Sequence, residues 1–582
     1  APTVTIMTEA HGMVAEEVEL LVTFPIETAV NGAMDVRRVR SSSSNGFSIV
    51  WIEFEWGTDI FIARQIVTEK IQTAMSSLPK GVEKPVLAPI SSIMGEIMLI
   101  GLTIDEENNI ENKSYMDLRA IGEFDIRRRL LSISGVSQVI PIGGEVKQYQ
   151  IHVSPEKLLA YDITLNQVLE AASKSNDNSS GGSFIDSGSE YLIRGLGRIQ
   201  TLDDLENSVI TTSDNVPIFI KDVAQVKIGA AVKFGEGSAN AKPAVLLTVQ
   251  KQPQTNTIKL TENILEKLEE IKKTLPPGII LDSEIFRQAD FIETAISNVI
   301  EALRDGALLV IIVIFLFLWN IRTTFISVLA IPLSIVITII VFQLFDIMIN
   351  TMTLGGIAIA IGALVDDAII DVENVFRRLK ENSLKVIELR KKTITVIFEA
   401  SKEIRAPMVN ATLIILVVFI PLFFLSGVEG RLLRPMGYAY IISIFTSLIV
   451  ALTITPVLSY YLLKDTDFTK NSGDTWIVEK LKKYYDKILR ITLKHPKTLT
   501  LVATLLLAST IIVFPFLGKS FLPEFNEGAL TLSLVTLPGS SIEESNKIGK
   551  LAEEILLTLP EVKSTARRTG RAELDEHGQG VN

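Results

Sequence analysis

The chain has 582 residues, of which 47% are hydrophobic, and its formal net charge at pH 7 is −11. Its mean hydropathy of +0.35 is too apolar for an ordinary soluble protein, so part of the chain must lie in a membrane. Cysteine is absent, which excludes a disulfide framework and a thiolate metal site. A bound metal ion would therefore need Met, His or oxygen ligands.

A unit of strand, turn, helix, Leu-Pro and strand occurs three times along the chain, at 48–83, 244–280 and 529–564. In each copy the apolar residues alternate through a strand and then follow helical spacing. Between the copies, 143–173 predicts a strand and a helix, and 178–210 predicts a Gly/Ser-rich turn with strands. Such units are typical of split βαβ sandwiches. The alternative is a shared α/β rhythm without common origin.

Six apolar runs are long enough to cross a bilayer as helices: 299–319, 325–345, 352–376, 406–426, 437–463 and 499–517. Lys and Arg concentrate in the loops 377–405 and 464–497, whereas the connections at 346–350 and 427–435 carry few. The positive-inside rule places the first two loops in the cytoplasm, and region 1–298 then lies outside it. Within the second basic loop, apolar positions at helical spacing predict an amphipathic helix on the cytoplasmic membrane surface.

Four carboxylates interrupt the predicted helix 353–378: Asp366, Asp367, Asp371 and Glu373. An ionised side chain near the bilayer centre costs roughly 2.5–3.5 kcal/mol on insertion scales, so such residues usually mark ion or proton pathways. At about 100° per residue, 366 and 373 share one face of the helix, and 367 and 371 nearly share another. Low dielectric and the adjacent like charge favour the neutral form of one Asp of the pair, which makes the helix a candidate proton carrier.

An alternative reading of the carboxylates is structural. Some of them would then lie near the headgroups, where water, Arg377 or Arg378 neutralises them, and this alternative suits Glu373 better than Asp366. The same helix also has a face of small residues, which allows close packing against a neighbouring helix: Gly355, Gly356, Gly362, Ala358, Ala360 and Ala363.

Six segments carry a family resemblance: VTFPIETAVNG (22–32), FEWGTDIFIARQ (54–65), APISSIMGEI (88–97), GGIAIAIGALVDDA with the following EN (373–374), SGVEGRLLRPMG (426–437), and FLPEFNEGAL with LPG (537–539). In this order and spacing they resemble the resistance-nodulation-division (RND) superfamily of proton-driven efflux pumps, and most of all its heavy-metal branch. The resemblance runs from end to end of the chain.

The resemblance implies an α+β membrane protein, with a transmembrane helix bundle, periplasmic split βαβ (ferredoxin-like) porter subdomains and an inserted docking subdomain. It implies these parts: porter subdomain N1 at 1–92, N2 at 93–139 with 231–292, docking subdomain at 140–230, transmembrane helices 2–6 at 293–463, a cytoplasmic amphipathic segment at 464–497, transmembrane helix 7 at 498–518, and the start of a second-half porter subdomain at 519–582. We expect an internal tandem duplication that is incomplete here, with an N-terminal anchor and the rest of the second half missing.

By resemblance, Asp366 is the family's proton-carrying Asp, and Glu373 is the Glu of its VEN signature. Asp367 belongs to the same proton path, and Asp371 is a further candidate for it. The Lys that usually pairs with the carrier belongs to the second half. The small face of the helix would pack against the tenth helix. Energy would come from the proton gradient without a cofactor, and the metal ion would be the substrate.

Three departures from the family pattern bear on the substrate. Divalent-cation members often place a further Asp six residues before the carrier, where this chain has Ala360. Copper and silver members often line the path with Met, but the matching positions are Leu364 and Asp371, and their periplasmic Met is replaced by Ser533. Met352 does match, and is the one candidate metal ligand. Soft-ligand chemistry for a monovalent ion is thereby weakened.

We therefore expect a proton-driven exporter of divalent heavy-metal ions in the inner membrane of a Gram-negative bacterium. The resemblance implies a homotrimer that works with a periplasmic adaptor, an outer-membrane channel and membrane lipid, and with no nucleic acid. The alternatives are export of monovalent copper or silver, export of hydrophobic drugs, for which the Asp366–Asp367 pair speaks, and a non-transporting scaffold. An enzyme is not expected, because the four histidines are scattered without ligand or triad spacing: His11, His152, His495 and His577.

Overall fold

The computed structural model describes residues 2–90, 95–109, 112–213, 215–253, 255–318, 320–464, 476–517, 528–537 and 539–572. It divides into two compact units. One unit comprises Ala1–Ala289 with Thr531–Asn582, and the other comprises Asp290–Leu530. All strands in the described residues belong to the first unit, and the long apolar helices belong to the second.

The first repeat folds as an antiparallel sheet with helices, as the sequence predicts. Its strands are β1 Thr3–Glu9, β2 Val36–Ser44, β3 Phe47–Phe54 and β4 Val86–Leu87, in the spatial order β2-β3-β1-β4. Its helices are α1 Ala15–Val18, α2 Phe24–Val30, which a π-helical turn at Glu19–Thr23 joins to α1, and α3 Ile60–Met75. Asp59 caps α3, because its carboxylate accepts hydrogen bonds from the backbone N–H groups of Phe61 and Ile62.

The following region is longer. Its strands are β5 Glu96–Ile104, β6 Val136–Ile142, β7 Lys147–Val153, β8 Ser179–Asp186, β9 Ser189–Gly195, β10 Val209–Ser213, β11 Val216–Phe219, β12 Ala224–Ala230, β13 Gly235–Ala239, β14 Lys242–Lys251 and β15 Ile279–Arg287. Its helices are α4 Tyr115–Ala120, α5 Arg127–Leu131, α6 Pro155–Ala160, α7 Leu165–Lys174, α8 Leu202–Glu206, α9 Ile220–Val223 and α10 Thr257–Lys272. A π-helical turn at Ile121–Ile126 joins α4 to α5.

The second large sheet repeats the topology of the first. The strands β6, β14, β5 and β15 lie in the order β6-β14-β5-β15, which matches β2-β3-β1-β4 strand for strand. In both cases a π-helical turn interrupts the first helix. Each sheet therefore has the βαββαβ connectivity of split βαβ folds, and each covers its own aliphatic core. The strand and helix predicted at the start of 48–83 are confirmed, and so are those of 244–280 with its closing strand. The closing strand of the first unit lies just beyond its predicted end, at Val86–Leu87.

Between β6 and β13 the chain forms three two-stranded sheets, β7 with β12, β8 with β9, and β10 with β11. These lie within the predicted docking range 140–230, whereas β6 crosses its boundary. The subdomain names given by resemblance stay predictions. The β8–β9 hairpin is exposed along its whole length, including Phe184, Ile185 and Leu192.

The second unit is helical, with 3₁₀ turns at Ile387–Leu389, Ile420–Phe424 and Phe514–Phe516. Its helices are α11 Gln288–Leu318, α12 Ile321–Leu344, α13 Thr351–Ser383, α14 Thr393–Phe419, α15 Gly427–Leu463, α16 Trp476–Lys494 and α17 Pro496–Val513. Within the described residues, five helical segments are long and apolar enough to cross a membrane: Ile321–Leu344, Thr351–Ser383, Thr393–Phe424, Gly427–Leu463 and Pro496–Phe516. They correspond to five of the six predicted spans.

The sixth predicted span, 299–319, lies on the second half of α11, which is not among those five helices. Residue 319 is outside the described residues. Within the bundle, α13 packs against α12, α14 and α15. The packing is largely aliphatic, and it brings Val372 and Val375 of α13 against Ile397 of α14.

The third repeat is only partly as predicted. Its helix is confirmed as α18 Ile542–Leu556, with Ser541 as the N-cap, and β16 Ala566–Gly570 pairs with β13. The strand predicted at its start is wrong, because the described residues 528–537 form no strand. The physical reason is that a strand needs a neighbour for its backbone hydrogen bonds. Without one here, Leu530 stays 89% exposed.

Candidate functional site

The four carboxylates predicted as the site lie on α13, which begins at a well-formed cap. The Asn350 side chain accepts a hydrogen bond from the backbone N–H of Thr353 at 2.9 Å, and the Thr353 hydroxyl donates to the Asn350 carbonyl. No proline lies within α13, unlike its neighbours α12, α14 and α15. The helix therefore continues for 33 residues through the acidic positions, although their side chains are poorly suited to an apolar helix.

Helical spacing divides the carboxylates into the two predicted faces. Asp366 and Glu373 are exposed, and they lie on one side of α13. Asp367 is half-buried and Asp371 is 2% exposed, on the side that faces the other helices. The structure thus brings Asp367 and Asp371 into the bundle. It leaves Asp366, the proton carrier implied by the family resemblance, on an open face.

Asp371 is the buried carboxylate of the set. Its Oδ2 atom has no hydrogen-bond partner in the described part of the chain, and the same holds for the hydroxyl of Ser401, which is 8% exposed. Ser401 and Arg405 of α14 are polar neighbours of this carboxylate on the facing helix, but neither is hydrogen-bonded to its Oδ2 atom in the described part of the chain. A buried carboxylate with so little compensation is costly when it is ionised.

One turn further on, hydrogen bonds fix α13 to α14. The Asn374 side-chain amide donates to the backbone carbonyl of Ala400 at 2.8 Å, and Arg377 donates to the Asn374 amide oxygen at 2.7 Å. Arg378 forms an ion pair with Glu403 at 2.7 Å and another with Glu381 at 3.0 Å. Arg377 and Arg378 are therefore engaged with groups other than Glu373 in the described part of the structure. The suggestion that they neutralise Glu373 has no support from these contacts.

The small face of α13 divides in the same way as the carboxylates. A Cβ atom on Gly356 would lie 2.5 Å from the backbone oxygen of Met436 and 2.9 Å from Cβ of Ala439, so this glycine lets α13 and α15 approach closely. A Cβ on Gly355 or Gly362 would meet nothing within 4 Å. Of the three glycines on the small face, Gly356 thus packs closely against α15. Gly355 and Gly362 lie on the open face with Asp366.

The methionines give little support for a metal site. Met352 is half-buried in the first turn of α13, and Met348 is 67% exposed. Met98 is 1% exposed and packs in the aliphatic core of the second sheet, whereas Met75 is 37% exposed. Met94 lies outside the described residues. Among the residues that the structure describes, no group of three or more His, Asp or Glu side chains is placed to hold a metal ion.

Ser533, at the position where copper and silver members have a periplasmic Met, is exposed. The histidines His11, His152 and His495 are exposed as well, as expected for ordinary surface residues, and His577 lies outside the described residues.

Sequence reasoning missed the roles of Ser401 and Asn374. Asn374 follows Asp371 by three positions, which is helical spacing. That spacing was an available signal for Asn374. Ser401 could not be assigned without knowing which helix faces α13.

The fold and site together define a membrane protein of a recognisable class, with a carboxylate-bearing helix at the centre of an apolar bundle and two split βαβ sheets in a separate unit. The chain matches the AcrB/AcrD/AcrF family over residues 1–582 and belongs to that family. This confirms its membership of the RND efflux transporters, whose members are transporters and not enzymes.

Relatives and solved structures point to the heavy-metal branch. The chain is 32% identical over 579 residues to the "Cation efflux system protein CzcA" of Alcaligenes sp. (strain CT14), and 34% identical over 577 residues to "Protein HelA" of Legionella pneumophila. Each alignment covers 98% of this chain and 54% of the relative. A crystal structure of a heavy metal efflux pump superposes with a TM-score of 0.84 at 25% identity, over 98% of this chain and 54% of that one. The chain thus spans about half the length of these relatives.

Proposed function

We propose that the chain forms the first half of a proton-driven exporter of heavy-metal ions in the inner membrane of a Gram-negative bacterium. The observation that carries the proposal is the division of four carboxylates on α13 between an open face and a buried one. Carboxylates at membrane depth are costly unless they serve an ion or proton pathway. The similarity to named cation efflux proteins supports the same conclusion.

In this proposal, protons move along α13. Asp366 is the carrier, Asp367 is its partner, and Glu373 extends the open face towards the basic loop at 377–405. Protonation of Asp366 removes a charge from the helix face, which changes how a second-half helix packs there and moves the porter domains between states. The open side at Gly355 and Gly362 supports close packing by that helix, since a Cβ atom added at either glycine would meet nothing within 4 Å in the described part of the chain. Asp371 lies beside this path.

We propose that the exported ion is divalent. A relative that is 32% identical over 579 residues is named "Cobalt-zinc-cadmium resistance protein CzcA", from Cupriavidus metallidurans. The lone match at Met352 gives little soft-ligand chemistry for monovalent copper or silver. Export of hydrophobic drugs by the same motor is the second candidate. The adjacent Asp366–Asp367 pair, which resembles that of the drug-exporting branch, favours it.

We further propose that the complete transporter is a homotrimer that works with a periplasmic adaptor and an outer-membrane channel. The β8–β9 hairpin supports such an assembly. It is exposed throughout, although it carries large apolar side chains such as Phe184, Ile185 and Leu192, which are 51%, 78% and 83% exposed. Exposed apolar patches of this kind mark protein-interaction sites.

The test of the substrate is cellular accumulation. A strain that lacks the gene, and the same strain complemented with the complete transporter, would be loaded with zinc, cobalt, cadmium, silver, copper or a hydrophobic dye. The proposal predicts that the transporter lowers retention of the divalent metals. Reduced retention of the dye without any change in the metals would favour the drug exporter. No change with any compound would contradict both.

A further inference from the structure

Helix α16 carries a concentration of positive charge that is unusual for this acidic chain. It has six basic side chains, Lys480, Lys482, Lys483, Lys487, Arg490 and Lys494, against two acidic ones, Glu479 and Asp486. The formal net charge of the chain is −11, so the charge of α16 opposes the overall balance. One acidic group, Asp486, is already paired with Arg490 at 2.8 Å. Six basic side chains against two acidic ones leave α16 a net surplus of four positive charges, whatever pairs form within the helix.

The charges and the apolar residues of α16 occupy separate sides. At about 100° per residue, Leu481, Tyr485 and Ile488 lie together on one face, and Lys483 and Lys487 lie opposite them. Lys480 and Lys482 fall at the two borders of the apolar face, where long side chains can keep their charge outside an apolar layer. The arrangement is that of a helix lying along a membrane surface, with both edges ready to reach headgroups.

The apolar face of α16 is largely uncovered by the described residues of the second unit. Leu481, Tyr485 and Ile488 are 52%, 65% and 59% exposed. After α16, the chain continues through His495 directly into α17, whose apolar length is sufficient to cross a membrane. A helix that joins a membrane span without a linker remains close to the bilayer surface. The surface that is available to cover its apolar face is therefore lipid.

We propose that α16 binds anionic phospholipid, with its apolar face in the boundary between headgroups and acyl chains and its lysines on lipid phosphates. Zwitterionic headgroups would satisfy the apolar face but not the charge surplus, so binding depends on anionic lipid. This inference rests on the proposed function, an inner-membrane transporter, and on the cytoplasmic placement that the positive-inside rule predicts for 464–497. It adds the lipid class and the residues that recognise it.

The absence of cysteine makes the test direct. Single Ile488→Cys and Lys487→Cys variants of the full chain would each carry one nitroxide label, in nanodiscs of phosphatidylcholine or of an equal mixture with phosphatidylglycerol. Collision with oxygen reports burial in lipid, and collision with a water-soluble nickel complex reports exposure. We expect the label at 488 to be oxygen-accessible and the label at 487 to be nickel-accessible in the anionic discs, with a smaller contrast in the zwitterionic discs.

The charge contribution is tested by Lys480→Gln and Lys482→Gln in the Ile488→Cys background. Each substitution should lower the docked-to-free ratio of α16 about fivefold, because this is the ratio that corresponds to the free energy of one lysine near an anionic surface. Lys385→Gln is the matched control, since it removes the same charge from an exposed position of the other basic loop. Added salt should lower the docked-to-free ratio of the helix with its lysines intact, because it screens their attraction to the anionic headgroups.

Two results would overturn the inference. Equal nickel access at 487 and 488 in both bilayers would show that α16 does not lie on the membrane. If docking is equal in both lipids and the lysine substitutions do not change it, the lysines do not bind the anionic headgroups. Proton flux measured separately in the complete transporter keeps the proposals distinct, because flux without lipid-dependent docking refutes only this inference. Docking without flux refutes only the transport proposal.

Discussion

Gly356→Ala is expected to weaken the packing of α13 against α15. The added Cβ would lie 2.5 Å from the backbone oxygen of Met436 and 2.9 Å from Cβ of Ala439. Optimal carbon contacts lie near 3.5–4.0 Å, so the overlap is about 1 Å. A backbone oxygen cannot rotate away, and the helices must therefore separate locally. Overpacking of this kind costs about 1–3 kcal/mol.

A matched control isolates that contact. Gly355→Ala and Gly362→Ala add the same methyl group to the same helix, but it would meet nothing within 4 Å. All three substitutions gain the helix preference of Ala over Gly, which is worth roughly 0.8–1.0 kcal/mol. The difference between Gly356→Ala and Gly355→Ala thus cancels this gain and leaves the overpacking cost.

The assay is equilibrium unfolding of the purified chain in mixed micelles by added dodecyl sulfate, followed by far-ultraviolet circular dichroism. Gly356→Ala should have a free energy of unfolding about 1–3 kcal/mol below that of Gly355→Ala. Gly362→Ala should resemble Gly355→Ala. Coincident unfolding curves for Gly356→Ala and Gly355→Ala would show that α13 and α15 do not approach closely at Gly356.

Two further predictions concern the first unit. Arg38 donates a hydrogen bond to Glu53 at 2.6 Å, which holds the pKa of that carboxyl below its ordinary value. The ionised Glu53 carboxylate stabilises the fold fully above its unfolded-state pKa of about 4.3, and this stabilisation is lost as the pH falls through the lower pKa of the folded state. Glu53→Gln should therefore make the free energy of unfolding less dependent on pH in measurements at acid pH. Arg571 is 7% exposed and pairs with Glu9 at 2.9 Å, so Arg571→Ala should lower the free energy of unfolding by about 3–5 kcal/mol. Lys563→Ala, which breaks an exposed pair, should cost under about 1 kcal/mol; equal effects of the two substitutions in thermal unfolding would contradict the prediction.

Local patterns predicted much of the fold. Alternation followed by helical spacing located β3 with α3 and β14 with α10, because both signals arise within a few turns of chain. The π-helical turns at Glu19–Thr23 and Ile121–Ile126 were not predicted, since their sequences have ordinary helical spacing. The failed strand at the start of the third repeat has the opposite cause. Its pattern is that of a strand, but strand formation depends on a neighbour elsewhere in the chain.

The site was predictable to the level of helix faces. Residue spacing alone separated Asp366 and Glu373 from Asp367 and Asp371. Which face would be buried depended on the positions of α14 and α15, which spacing does not contain. The same limit applies to Gly356, whose role rests on a single close approach by the backbone of α15.

The most direct test of the proposed mechanism is proton flux through the complete transporter in proteoliposomes that contain a pH-sensitive dye. Zinc, silver and a hydrophobic drug would be compared for the parent protein, Asp366→Asn and Asp346→Asn. Asp346 is an exposed residue in a connection between helices, with a φ of 52° that Asn readily adopts, so it controls for loss of a carboxylate. We expect zinc-dependent flux that Asp366→Asn abolishes and Asp346→Asn preserves. Undiminished flux in Asp366→Asn would contradict it.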